Sequence, residues 1–133
     1  MYVLTVRGDF SAAHRLPSSG SKCERLHGHN WKVEVQVWAE ELDASGMVID
    51  FHELKAMTGE ILEALDHRLL NELPAFRERN PTAESLAEYI YERLAERLPK
   101  GRAKLDRVRV WESDTTAASY GSPSPRAWHR DTP

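Results

Sequence analysis

The sequence predicts an α+β fold, an antiparallel sheet with two helices packed on one face. Three observations predict it. Strand-like segments follow one another near the start of the chain, two capped amphipathic segments come next, and another alternating segment follows them. Strands that are neighbours in sequence favour antiparallel pairing, and helices grouped after them favour one layer on the sheet.

The first strands of this sheet come from two segments. Tyr2–Arg7 is short, aromatic and β-branched, and Phe10–His14 can continue it after a break at Gly8. Leu16–Leu26 is predicted to be a loop because it contains proline, serine and glycine. In Trp31–Ala39, three valines alternate with lysine, glutamate and glutamine. That alternation is typical of a half-buried strand.

Two helices are predicted to follow. Asp50 caps the first, and Glu53 is its capping-box partner. Thr82 caps the second, which Pro99 ends. The apolar stripe of the first helix consists of Phe51, Leu54, Met57, Ile61, Leu62 and Leu65. The stripe of the second consists of Leu86, Tyr89, Ile90 and Leu94. One apolar face on each helix fits packing against a sheet.

The last predicted strand is Leu105–Trp111, with Val108 and Val110 on one face. The 133 residues fit one domain. We therefore expect residues 1–121 to form a single catalytic domain. Residues 122–133 are rich in serine and proline, and we expect them to form a flexible tail.

Composition and sequence pattern together disfavour several classes of protein. The 18 basic and 21 acidic side chains give a net charge of −3, which disfavours nucleic acid as the main partner. The single cysteine allows no internal disulfide and suits a reducing compartment. The chain starts without a signal-peptide pattern, and no apolar stretch approaches the roughly 20 residues of a membrane span. We expect a cytoplasmic protein that does not insert into a membrane.

The triplet His27-Gly28-His29 is the strongest chemical signal. Residues two apart in extended backbone point to the same side, so both imidazoles can bind one ion. His14, at the end of the first strand region, is the candidate third ligand. Three neutral nitrogen ligands suit zinc and leave a fourth position open. Two alternatives remain: these are ordinary histidines, or Cys23 closes a structural site as fourth ligand.

Cys23 is also a candidate for catalysis. It lies in a polar loop beside Lys22 and Arg25, and nearby cations favour the thiolate, which can act as a nucleophile or a base. The alternative is an inert small side chain. Asp66 and His67 fall at the end of the first predicted helix. They are either a proton relay or a helix terminus where a histidine is favoured by the dipole.

Glu112 continues the alternation of Val108 and Val110, which places it on the apolar face. A carboxylate there needs a partner. A ligand edge with two N–H donors would suit its two oxygens. In the alternative, the strand ends at Trp111 and Glu112 is solvated.

Five motifs occur in order between Phe10 and Ser113, within a resemblance to a known family that runs from about Tyr2 to Gly121. They are Phe10–Leu16, Cys23–His29, Asp66-His67 with Leu70-Asn71, Asn80–Glu84 and Trp111–Ser113. Together they resemble the 6-pyruvoyl-tetrahydropterin synthase family. The Cys-x-x-x-His-Gly-His spacing resembles its bacterial branch, the 6-carboxy-5,6,7,8-tetrahydropterin synthases of queuosine biosynthesis. Ser113 departs from the pattern, because a threonine is common there.

The resemblance implies a T-fold whose members close a barrel as trimers and usually pair into hexamers, with active sites between subunits. We therefore expect a homohexamer, a dimer of trimers. The resemblance also implies that His14, His27 and His29 bind Zn²⁺ and that Cys23 is the general base.

Roles for further residues follow from the same resemblance. Asp66 and His67 would complete the proton relay, and Glu112 would anchor the pterin ring. Thr82 and Glu84 would line the ring pocket, although Thr82 is equally well explained as a helix cap. Arg15 lies near the site in sequence and is a candidate cation for the triphosphate.

The implied reaction converts 7,8-dihydroneopterin triphosphate to 6-carboxy-5,6,7,8-tetrahydropterin, acetaldehyde and triphosphate. One alternative is the pyruvoyl-forming elimination of triphosphate from the same substrate. An alternative of another class is a non-enzymatic, zinc-stabilised binding module.

Overall fold

The computed structural model describes residues 1–20 and 24–121. Its strands are β1 (Tyr2–His14), β2 (His27–Ala39), β3 (Arg68–Leu69), β4 (Lys104–Ser113) and β5 (Thr116–Gly121), and its helices are α1 (Phe51–Glu63) and α2 (Ala83–Arg97). Two single 3₁₀ turns, Leu70–Glu72 and Pro74–Phe76, connect β3 to α2. In the described ranges, no helix has the length and apolar character needed to cross a bilayer.

The sheet has five strands in the order β3-β1-β2-β4-β5. The four long strands pair antiparallel, which confirms the predicted arrangement for them. The short β3 instead runs parallel to β1 at Ala12 and Ala13, so the sheet is mixed. α1 packs on β1, α2 packs on β4 and β5, and the two helices contact each other. Both helices therefore lie on one face, as predicted.

The core lies between this face and the helices. Alternate residues of β2 from Trp31 to Ala39 are fully buried, as the valine pattern predicts. Both predicted helix caps form. The Asp50 carboxylate accepts the His52 N–H at 2.7 Å, and the Thr82 hydroxyl accepts the Ser85 N–H at 3.1 Å. These caps satisfy backbone donors that the first helical turn leaves free.

The predicted strands were wrong in three details. Strand β1 has no break at Gly8, because the glycine allows α1 to approach the sheet. A Cβ atom at that position would lie 2.7 Å from Cδ1 of Leu62. Strand β5 was not predicted. It is an edge strand of mainly small and polar residues, and it is mostly exposed. Strand β2 starts at His27 rather than at Trp31, which places the histidine triplet inside the sheet.

Candidate metal centre

The three histidines meet at one end of the sheet. In the β1–β2 register, His14 lies opposite His27. The alternation that buries Ala12 on β1 and Trp31 on β2 directs His14, His27 and His29 to the same face, towards the helices. The pairing of β1 with β2 therefore brings the three predicted histidine ligands together.

Glu112 joins the histidines from β4. Its Oε1 atom lies 2.9 Å from Nε2 of His29 and 3.8 Å from Nε2 of His14, and the Nε2 atoms of His14 and His27 are 2.9 Å apart. These four residues form the His–Glu cluster, in which the ligand atoms lie within 4.8 Å of one another. A tetrahedral ion with bonds of about 2.0–2.1 Å separates its ligands by about 3.3 Å. The cluster therefore has the dimensions of a metal site.

Backbone carbonyls orient two of the imidazoles. Nδ1 of His14 lies 2.8 Å from the Pro81 carbonyl oxygen, and Nδ1 of His27 lies 2.7 Å from that of Arg25. A carbonyl only accepts, so each Nδ1 carries the proton and each Nε2 presents a lone pair to the cluster. Two lone pairs facing each other at 2.9 Å repel unless a cation or proton lies between them. The donor set therefore fits a metal ion.

Burial of His14 and His29 also favours the neutral form of their imidazoles. Desolvation lowers the pKa of His14, outweighing the bond to Pro81, and desolvation also lowers the pKa of His29, outweighing the attraction of Glu112. Nε2 of His29 is buried without a hydrogen bond of suitable geometry, although Glu112 is close. Neutral imidazoles with a free nitrogen are the form that binds metals.

Trp31 forms the rigid wall behind the histidines. Its ring is fully buried and meets His14 and His29 edge-on, with centroids 5.0 Å apart in each case. Its Nε1–H donates to the Ala12 carbonyl at 3.2 Å. Close packing with a fixed hydrogen bond limits the movement of both imidazoles, which suits a preorganised site.

Asp66 and His67 form a hydrogen-bonded pair, with Nδ1 of His67 2.8 Å from Oδ2 of Asp66. Ser11 on β1 holds both residues: its N–H donates to Asp66 Oδ1 at 2.8 Å, and its carbonyl accepts the His67 N–H at 2.6 Å. The Ser11 N–H, and then His67, keep the pKa of Asp66 below its usual value. His67 has φ 55°, a strained conformation for a non-glycine residue. It lines a groove of about 460 Å³ that His29 also lines.

Replacing Asp66 with asparagine should reverse the tautomer of His67. The carboxylate accepts a proton from Nδ1, whereas the asparagine side chain can accept from Ser11 and offer only its NH₂ group to that nitrogen. Nε2 of His67 would then carry the hydrogen, which we expect to lower turnover at least about tenfold. Nitrogen-15 NMR of the imidazoles measures the tautomer, with exposed His52 as the unchanged reference. An unaltered His67 spectrum would contradict the orienting role of Asp66.

The other sequence candidates lie around the cluster. Glu84 and Glu112 line a cavity of about 370 Å³ between the start of α2 and strands β4 and β5, which we call the α2–β5 cavity. Thr82 is the N-cap of α2, the alternative predicted for it. The Arg15 side chain is exposed, and the Asn71 side chain bonds the Arg15 N–H and carbonyl, each at 2.9 Å. Cys23 lies outside the described residues.

Comparisons with known proteins agree with the motifs. A model of the family described as 6-pyruvoyl tetrahydropterin synthase matches residues 3–123. The 6-carboxy-5,6,7,8-tetrahydropterin synthase of Synechocystis sp. is 38% identical over 128 residues, which cover 92% of this chain and 95% of that protein. The dihydroneopterin monophosphate aldolase of Pyrococcus furiosus is 39% identical over 108 residues, which cover 81% of this chain and 87% of that protein.

Animal proteins are comparably similar. The human 6-pyruvoyl tetrahydrobiopterin synthase is 38% identical over 128 residues, covering 86% of this chain and 87% of that protein. The structure of Caenorhabditis elegans 6-pyruvoyl tetrahydropterin synthase superposes with a TM-score of 0.78 at 29% identity, covering 92% of this chain and 97% of that one. Overall identity therefore does not distinguish the reactions after which these relatives are named.

Proposed function

Because the chain belongs to the 6-pyruvoyl tetrahydropterin synthase family, we propose that it is a zinc-dependent 6-carboxy-5,6,7,8-tetrahydropterin synthase. The reaction would convert 7,8-dihydroneopterin triphosphate and water to the 6-carboxy product, acetaldehyde and triphosphate, in the cytoplasmic synthesis of queuosine. The His–Glu cluster is the observation that carries this proposal, in a chain 38% identical to a synthase of that name.

In this proposal His14, His27 and His29 hold the zinc ion. Three imidazoles are a donor set that suits zinc, whereas magnesium and calcium prefer oxygen ligands. Zinc bound there would supply Lewis acidity to oxygen atoms of the substrate side chain. A fourth position must stay open for that chemistry, which the half-exposed His27 and His29 allow.

Proton transfer would be carried out by three residues. The Cys23 thiolate would remove a proton from a side-chain carbon that the conjugated ring makes acidic. His67 would move protons at Nε2, because its Nδ1–H is donated to Asp66. Support comes from the groove that residues His67 and His29 both line.

Glu112 would anchor the pterin ring in the α2–β5 cavity, with Glu84 on the opposite wall. Its two carboxylate oxygens match the two N–H donors on the aminopyrimidine edge of the ring. Thr82 would contribute by capping α2 and so fixing the position of Glu84. The rival role for Glu112 is that of a fourth metal ligand, because Oε1 lies 2.9 Å from His29.

The Glu112→Gln variant separates these two roles. A ring anchor loses its charge-assisted bonds while three histidines remain, so we expect bound zinc to stay and KM to rise about ten- to a hundredfold. Zinc content and steady-state kinetics measure this. Asp114→Asn is the matched control, because Asp114 is exposed and pairs with Lys32 at 3.1 Å. Loss of zinc from Glu112→Gln would identify Glu112 as a ligand instead.

Product identification tests the function itself. Purified zinc-loaded protein is incubated with 7,8-dihydroneopterin triphosphate, and the products are identified by mass spectrometry with acetaldehyde trapped separately. The 6-carboxy product with acetaldehyde would support the proposal. A 6-pyruvoyl product without acetaldehyde would establish the alternative reaction, after which the equally similar human synthase is named. No product at all would favour the non-enzymatic binding module.

The sheet edges support edge-to-edge assembly of the chains into a trimer, which is one half of the expected homohexamer. Within the described residues, Tyr2–Phe10 of β1 pairs only with β2, so its other edge presents unpaired backbone groups. Strand β5 is the opposite edge. Edge strands tend to pair with another chain, and three sheets joined edge to edge would close a barrel. Light scattering of the purified protein measures the number of chains per particle.

A further inference from the structure

A second groove lies beside the metal centre, at the end of β1 and β3. Its volume is about 690 Å³, and it is lined by Arg15, Ser18, Asn71, Arg77, Arg79 and Asn80, among others. We propose that this arginine groove binds the triphosphate group of the substrate. The inference rests on the proposed function and adds a subsite to it.

The order of sites across the sheet carries the proposal. The strand order β3-β1-β2-β4 places the α2–β5 cavity at β4, the histidines on β2 and β1, and the arginine groove beside β1 and β3. Neighbouring strands are about 4.8 Å apart, so cavity and groove are separated by about 14 Å. The substrate has the same linear order, which runs from ring through hydroxylated side chain to triphosphate. A ring at Glu112 with its side chain at the histidines therefore directs the phosphates to Arg15.

The charge of the groove suits a polyanion. Three arginines line it, and Glu78 is the acidic residue among its lining side chains. Arg79 pairs with Glu88 at 2.9 Å, whereas Arg15 and Arg77 form no ion pair within residues 1–20 and 24–121. Guanidinium groups bind phosphate oxygens through two parallel hydrogen bonds. Arg15 and Arg77 are thus available for the phosphates.

Hydrogen bonds connect the groove to the metal centre. Asn71 bonds both backbone groups of Arg15, and Asn80 donates to the Pro17 carbonyl at 3.2 Å. The next residue, Pro81, accepts from His14 through its own carbonyl. The groove therefore keeps a fixed position relative to the first metal ligand. A fixed distance between phosphate and metal subsites orients the reacting side chain between them.

The test compares the Arg15→Gln and Arg77→Gln variants of the zinc-loaded protein with Arg102→Gln. Arg102 is an exposed control at the far end of β4 from Glu112. We expect each groove variant to raise KM for the triphosphate substrate about tenfold with little change in kcat, because uniform binding is lost. Inorganic triphosphate should inhibit competitively, with an inhibition constant that rises by a similar factor. The control should match the unmodified protein.

The outcomes separate this subsite from the proposed function. Product formation with unchanged KM and inhibition constants in both groove variants would overturn the subsite and leave the function standing. Equal changes in Arg102→Gln would also overturn it, because they would reflect overall charge. If no product forms, calorimetry still tests the groove, because it measures the binding of inorganic triphosphate to each protein directly. Binding weakened only in the groove variants would support the groove, and binding equal in all proteins would reject it.

Discussion

The His27→Ala variant should bind zinc at least about 100-fold more weakly than the unmodified protein and should form no measurable product. The substitution removes one of three nitrogen ligands and leaves the Arg25 carbonyl without its donor. His27 is the best histidine for this test because it is half-exposed. His14 is fully buried against Trp31, so alanine there would also open a cavity. Zinc content after dialysis against a weak chelator, together with turnover, measures the effect.

His52→Ala is the matched control. His52 is an exposed histidine of α1 that is remote from the sheet end and contributes only its backbone N–H to the Asp50 cap. It should retain zinc, turnover and thermal stability. Full zinc occupancy in His27→Ala, with unchanged turnover, would reject the cluster as the metal centre. Thermal unfolding of both variants separates a lost ligand from a damaged fold.

The Cys23→Ala variant should keep its zinc and lose turnover by about 10²–10⁴-fold, the contribution expected of a general base. Three histidine ligands remain, so the ion stays, whereas the group that removes the carbon-bound proton is gone. Parallel measurements of zinc content and kcat give the result. This combination distinguishes a base from a metal ligand, since removal of a ligand would lower both quantities.

Cys23→Ser provides the control for side-chain size. A serine hydroxyl fills nearly the same volume but hardly ionises near neutral pH, so this variant should be about as inactive as the alanine variant. If either variant loses zinc together with activity, Cys23 is a ligand. The site would then be the closed structural one that the sequence also allowed.

Local sequence patterns predicted the strands and helices whose formation depends mainly on residues close together in the chain. The valines of β2 alternate, and Asp50 and Thr82 carry the oxygen atoms that cap helices, so these elements could be placed from sequence. Strand β5 could not, because its small and polar residues show no apolar alternation. It forms through pairing with β4, a tertiary effect. The break expected at Gly8 was wrong for a related reason, because the packing of Leu62 decides that position.

The candidate site likewise has features that a local pattern predicts and features that depend on tertiary pairing. The spacing of His27 and His29 predicts a shared face, and the structure confirms it. The approach of Glu112 to His29 depends on the β2–β4 register, which places Lys32 opposite Trp111 and which no local pattern encodes. The carbonyl partners of His14 and His27 were also missed, because every residue has a carbonyl and side-chain identity does not mark those that act.

The origin of the three histidines on two neighbouring strands has a consequence for the order of folding and metal loading. His14 lies on β1, whereas His27 and His29 lie on β2, and the pairing of these strands places His14 opposite His27. In an unfolded chain only His27 and His29 stay close together, so an ion would be held there by an incomplete ligand set. We therefore expect the apolar core and the β1–β2 pairing to form without the ion, and the proposed zinc ion to bind strongly only once that pairing is complete.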